Sequence, residues 1–112
     1  MAGFGSNTRG QLGTGTASGG ELLPVPASLP PGTRITQVAP GCFHSLALTS
    51  TGSVLAWGDN RSGELGNGST SEFAATPAPV PLPAGVRVRS LSGGCSFSLA
   101  VSLALVLQLP VR

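Results

Sequence analysis

The chain repeats itself with a period of 53 residues, and this constrains its fold more than any other feature. Residues 4–48 shifted by 53 fall on 57–101 without a gap, and 18 of the 45 aligned pairs are identical. Gly10-Gln11-Leu12-Gly13-Thr14-Gly15 falls on Gly63-Glu64-Leu65-Gly66-Asn67-Gly68, and Gly41-Cys42 falls on Gly94-Cys95. Ser45-Leu46-Ala47 falls on Ser98-Leu99-Ala100. Agreement on this scale implies two copies of one local structure. A unit of this size completes its core only by stacking on its neighbours.

Each copy reads as strands and turns. Arg34-Ile35-Thr36-Gln37-Val38 carries the polar and apolar alternation of a half-buried strand. Ser45–Thr49 follows a glycine turn, and Thr51-Gly52 makes a tight turn into Val54–Trp57. These pieces are expected to be successive antiparallel strands. No stretch has the length and period of an amphipathic helix, and the prolines at 24, 26, 30 and 31 exclude one there. The glycines of Gly58…Gly63…Gly66…Gly68 mark a compact loop needing positive φ or close backbone contact, with Leu65 as its apolar anchor. A period near 50 residues with four short strands per unit is the signature of a β-propeller blade. The expected fold is therefore all-β, about two blades of an incomplete ring. Residues 1–56 form the first repeat, 57–101 an incomplete second repeat, and 102–112 a divergent apolar tail.

Trp57-Gly58-Asp59-Asn60-Arg61-Ser62-Gly63-Glu64-Leu65-Gly66-Asn67-Gly68 closely resembles the repeat of the regulator of chromosome condensation family. So does Gly41-Cys42-Phe43-His44-Ser45-Leu46-Ala47-Leu48-Thr49, followed by Gly52–Gly58. The resemblance covers residues 4 to about 101. It marks Gly41, His44, Trp57, Gly58, Asn60, Gly63, Leu65, Gly66 and Gly68 as a structural repeat motif. It implies a closed propeller, usually seven-bladed, in a family that includes the Ran exchange factor and repeat domains attached to ubiquitin ligases and kinases. The expected function is a non-enzymatic protein-interaction module, part of a larger propeller. The alternatives are nucleotide exchange on a small GTPase, or a truncated structural fragment without activity of its own. Two departures stand out. Phe97 replaces His44 in the second copy, and the turn and tryptophan strand expected after Val101 give way to Ser102–Arg112.

Little in the chain suggests chemistry. Glycine and proline total 27 residues, yet 40% of the chain is apolar and only 9% charged, which argues against disorder. Six arginines lie scattered at 9, 34, 61, 87, 89 and 112, so no basic stripe for nucleic acid is expected. The apolar run from Phe97 to Leu109 falls short of the ~20 residues a membrane helix needs. The first residues lack a signal-peptide pattern, so the cytoplasm or nucleus is the default compartment.

His44, the single histidine, is expected to hydrogen-bond backbone between blades. Cys42 and Cys95 occupy equivalent positions and are expected to be reduced and buried, because a bridge needs Cα atoms within about 7 Å. Asp59 is expected to cap a turn. Asn60-Arg61-Ser62 and Asn67-Gly68-Ser69 match the glycosylation pattern but read first as turns. Gly13-Thr14-Gly15-Thr16 lacks the lysine of a phosphate loop, and Glu21, Asp59, Glu64 and Glu72 form no paired carboxylates. No catalytic residue, metal ligand or cofactor is expected. The expected partner is a protein, with a small GTPase suggested by the resemblance, and open blade edges could support self-association. The alternating tail, Leu103 to Leu109, reads either as a further strand or as a non-homologous end.

Overall fold

A computed structural model describes residues 1–68 and 71–102. It is all-β in those residues, with eight strands: β1 (Ala2–Asn7), β2 (Ser18–Pro26), β3 (Ile35–Pro40), β4 (His44–Thr49), β5 (Val54–Asp59), β6 (Phe73–Pro79), β7 (Val88–Gly93) and β8 (Ser98–Ser102). Among the described residues no helix is long and apolar enough to cross a membrane. The divergent tail from Leu103 onward lies outside the described residues.

The strands form three antiparallel sheets: β1-β2, β3-β4-β5-β6 and β7-β8. The middle sheet is a full four-stranded blade. By the 53-residue shift, β1-β2 corresponds to its β5-β6 half and β7-β8 to its β3-β4 half. The described residues thus form half a blade, a whole blade and half a blade, in open array.

Register repeats with the sequence. Ala2↔Pro26 and Gly3↔Val25 in β1-β2 become Leu55↔Pro79 and Ala56↔Ala78 in β5-β6. The irregularity between Ile35 and Gln37 in β3-β4 recurs between Val88 and Ser90 in β7-β8. Along β3 burial alternates strictly, with Ile35, Gln37 and Ala39 on the more buried side. Val38 is 47% exposed, while Ala39 is the buried residue of β3.

The core lies on both faces of the middle blade, and every residue of β5 is buried. On one face Leu46, Leu48, Val54 and Ala56 pack with Leu65, Val88 and Leu91. On the other, Ala47, Leu55 and Trp57 pack with Leu29 and Ile35. The prolines sit where a ladder tolerates them: Pro77 and Pro79 lie on β6, the edge strand of the middle sheet.

Candidate functional site

Several of the residues singled out by the sequence meet at the seams between sheets, whereas Gly63 and Gly68 are exposed and a Cβ on either would face open space. At the first seam, between β1-β2 and the middle blade, the loop after β1 is the anchor. Trp57 Nε1 donates to the Gln11 carbonyl at 2.7 Å, and the Ser45 hydroxyl donates to the same oxygen at 2.8 Å. The indole is 2% exposed and lies over Gly13, where a Cβ would approach its Nε1 to 2.8 Å. Gly13 also needs its glycine for backbone reasons, with φ at 72°.

The loop itself is built around one asparagine. Asn7 Oδ1 accepts from the Leu12 N–H at 3.1 Å, and its amide donates to the Thr16 carbonyl and the Ser18 hydroxyl, both at 3.0 Å. Asn60 does the same one period later, accepting from Leu65 N–H at 3.2 Å and donating to the Ser71 carbonyl at 3.1 Å. Asn60 is only 4% exposed, with both ends of its amide engaged, so the glycosylation reading fails there. Its loop drives Leu65 into the core at 1% exposure. Asp59 closes the adjoining turn onto Arg61, accepting from Nε at 2.8 Å. Burial alone would push the Asp59 carboxyl up, but the hydrogen bonds and charge of Arg61 hold it below the usual carboxylate range.

At the second seam, between the middle blade and β7-β8, Ser98 takes the place of Ser45. Its hydroxyl donates to the Glu64 carbonyl at 2.8 Å. His44, 1% exposed, meets the same hydroxyl through Nε2 at 2.9 Å. Because the Ser98 proton is committed to Glu64, Nε2 carries the hydrogen and donates. The sequence led to a backbone partner for His44; the structure gives a side-chain hydroxyl on the next sheet. Burial lowers the imidazole below its ordinary value, offset in part by the charges of Glu64 and Asp59 and by the Phe97 backbone. Gly41 makes room for this ring, since a Cβ there would overlap both the imidazole and the Gly94 carbonyl.

Two further ties at this seam were not foreseen. The Gln37 side chain brackets one residue of β7, donating to the Leu91 carbonyl at 3.1 Å and accepting from its N–H at 3.2 Å. Its counterpart in the second copy is Ser90, so the repeat gave no signal for it. The other tie corrects an expectation. Cys42 and Cys95 are neither reduced nor buried: both are exposed, and they form a disulfide with Cα atoms 4.5 Å apart. Glycines on the facing turns let the two hairpins approach this closely, and a Cβ on Gly93 would meet the Pro40 carbonyl at 3.0 Å.

Among the described residues no group of three or more His, Cys, Asp or Glu could hold a metal ion. What the convergent residues form is a pair of seams, equivalent by the 53-residue shift.

That seam pattern matches a known repeat. The profile of the regulator of chromosome condensation (RCC1) repeat matches residues 3–48 and 51–101, and a second profile of the same description matches 35–64. The chain belongs to this family. It is 49% identical over 67 residues to the RCC1 domain-containing protein RUG3, mitochondrial, of Arabidopsis thaliana, covering 59% of this chain and 15% of that protein. It is 38% identical over 98 residues to the probable E3 ubiquitin-protein ligase HERC6 of Homo sapiens, covering 88% of this chain and 10% of that one. The fold superposes on yeast RCC1 (Prp20) bound to Kap60 with a TM-score of 0.80 at 22% identity, covering 89% of this chain and 25% of that one. A structure of Prp20p from Saccharomyces cerevisiae, described with its binding properties to Gsp1p and histones, gives a TM-score of 0.75 at 19% identity, over 90% of this chain and 26% of that one. The RCC1-repeat chain therefore spans about 10–15% of the length of the two relatives and about a quarter of the solved structures.

Proposed function

We propose that this RCC1-repeat chain is a non-enzymatic protein-interaction module whose working surface is the end of the sheets carrying the β3-β4 and β5-β6 loops. One observation carries this reading: the buried polar motif residues are spent on holding sheets together, while the loops they support project an aromatic ring and a cation. Phe43 is 46% exposed, and the Arg61 side chain is 50% exposed above its Asp59 partner. Aromatic residues and arginine are the types that dominate binding hot spots. Antiparallel alternation puts both loops at the same end, and the bond from the Asp59 N–H to the Phe43 carbonyl at 2.9 Å fixes one to the other. Strands supply rigidity and loops supply contacts, which is how repeat scaffolds divide these tasks.

The partner class suggested by the family is a small GTPase, and the similar structure of Prp20p is described together with that protein's binding properties to Gsp1p and histones. The test is titration of the purified chain against a panel of nucleotide-loaded and nucleotide-free small GTPases, with nucleotide release followed in parallel. The expected result is saturable binding without faster release, weakened ~10-fold or more, about 1.4 kcal/mol, by Phe43→Ser and Arg61→Ala. Binding that ignores both substitutions would discard this surface. Accelerated release would replace the module with an exchange factor.

A further inference from the structure

The arginines are scattered in the sequence, but the fold gathers three of them at one end of the sheets. All four acidic side chains lie at the other end. Glu21 pairs with Gly5 beside the Asn7 loop, Asp59 closes β5, and Glu64 and Glu72 lie between β5 and β6. Arg34, Arg87 and Arg89 stand where β3 and β7 begin, and all three are exposed. Among the described residues none of the three pairs with a carboxylate; the ion pair of Arg61 with Asp59 lies at the acidic end. Both copies deliver their arginine in the same way. The Thr33 N–H donates to the Pro30 carbonyl at 3.2 Å, and the Val86 N–H to the Pro83 carbonyl at 3.1 Å. The glycine at the third place of each turn, Gly32 or Gly85, has φ 79°, as a type II turn requires. Arg34 and Arg87 follow directly.

The β4-β5 hairpin turn sits between these two arginines. The Ser50 N–H donates to the Arg34 carbonyl, and the Gly52 carbonyl accepts from the Val88 N–H, both at 2.9 Å. The Arg87 stem lies against the turn: a Cβ on Gly52 would meet its Cβ at 2.8 Å and its Nε at 3.3 Å. Ser50, Thr51 and Ser53 expose hydroxyls there, with Thr51 Oγ1 3.0 Å from Thr49 Oγ1. We propose that this end binds a phosphorylated serine or threonine side chain of a peptide, with Arg34 and Arg87 as its guanidinium clamp. A phosphomonoester carries about −1.5 to −2 charge at neutral pH, which the two arginines offset. Guanidinium forks hold phosphate oxygens bidentately, and the hydroxyls of the turn stand beside them as neutral donors. The exposed prolines Pro30, Pro31 and Pro83 form an apolar ledge for the residues flanking the phosphate, which a free anion lacks. Three charges are too few to follow a nucleic-acid backbone, where affinity grows with the number of phosphates neutralised. Rigid turns fix the arginine backbones before binding, so less order is lost on association. Stacked repeats cover sheet faces and leave sheet ends open, so the clamp persists in a larger array. It lies at the opposite end from Phe43 and Arg61, so this inference and the proposed function fail separately.

The test uses the immobilised full chain and a peptide library with a central phosphoserine and degenerate flanks. Phosphoserine is expected to be retained ~10-fold or more over the matching serine library. Arg34→Ala and Arg87→Ala should each weaken retention by ~10-fold or more, whereas Arg9→Ala, at the acidic end, should leave it unchanged. In the unsubstituted chain, bound phosphopeptide should slow phenylglyoxal labelling of Arg34 and Arg87, read by mass spectrometry, and not that of Arg9. This reading needs no variant, so a misfolded arginine variant would not rescue the idea. Equal retention of the two libraries, or protection that maps elsewhere, would overturn the proposal. Inorganic phosphate competing as well as the peptide would overturn it in favour of a free anion. A short DNA duplex, or vesicles of phosphatidylinositol bisphosphate, protecting the arginines better than phosphopeptide would overturn it in favour of nucleic acid or membrane.

Discussion

The two seams are built to one plan and hold together by different means. At the first, Trp57 fills the space between the middle blade and the β1 loop, and its N–H and the Ser45 hydroxyl share one carbonyl. At the second, Ser98 makes the equivalent bond to Glu64, but a cavity stands in the ring's place. There the work falls to the facing β3-β4 and β7-β8 hairpins: Gln37 brackets Leu91, His44 reaches Ser98, and Cys42 joins Cys95. The exposure of equivalent glycines follows this division. Gly10 and Gly13 are buried under the middle blade, while Gly63 and Gly66 are exposed. Each seam shows one half of a complete interface, so together they define the whole.

The largest way to break this comparison is to empty the filled socket. Trp57→Ala should destabilise the chain by about 3–5 kcal/mol, because a large buried ring and a buried hydrogen bond are lost together. Urea unfolding with tryptophan-independent detection would measure it. A cost under about 1 kcal/mol would mean that the first seam does not depend on its indole.

Next comes the covalent tie of the second seam. The bridge spans 53 residues, and the loop-entropy relation gives about 4 kcal/mol for a loop of that size. Unfolding with and without reductant should show a loss approaching this value. The reduced chain should also keep β1-β2 protected from hydrogen exchange longer than β7-β8. Equal loss of protection at both ends would show that the seams are not independent.

The smallest effect is a matter of pH. His44 is held neutral in the folded chain, with its proton affinity below that of the unfolded state. The unfolded chain therefore binds more protons as pH falls, so stability is full above about pH 6.5 and declines below it. His44→Phe, the residue that the second copy carries at this place, should cost about 1–2 kcal/mol near pH 7.5 through the lost bond to Ser98. It should also flatten the decline between pH 7 and 5. A variant that keeps the wild-type slope would remove His44 as its source.

Much of this arrangement was legible in the sequence, because a repeat shows which side chains recur around one backbone. Trp57, Leu65 and the loop glycines could be read that way, and the all-β propeller fold with them. Strands β2 and β6 were harder, since Pro24, Pro26, Pro77 and Pro79 argue against regular structure until an edge position is known. Gln37 gave no sign because its partner is backbone, which any residue offers. The cysteines misled because equal positions on neighbouring blades suggest a full blade spacing. The facing hairpins instead converge, and the clue was the glycine beside each cysteine, Gly41 and Gly94.

The middle sheet takes β3 and β4 from before the 53-residue boundary at Trp57 and β6 from after it. Sequence period and folded sheet are thus out of phase, like overlapping courses of brick. A gene that gains or loses one whole period by unequal exchange would add or remove one complete seam and leave the phase of every remaining sheet unchanged. Repeat number can then drift over generations without redesign of the units that remain.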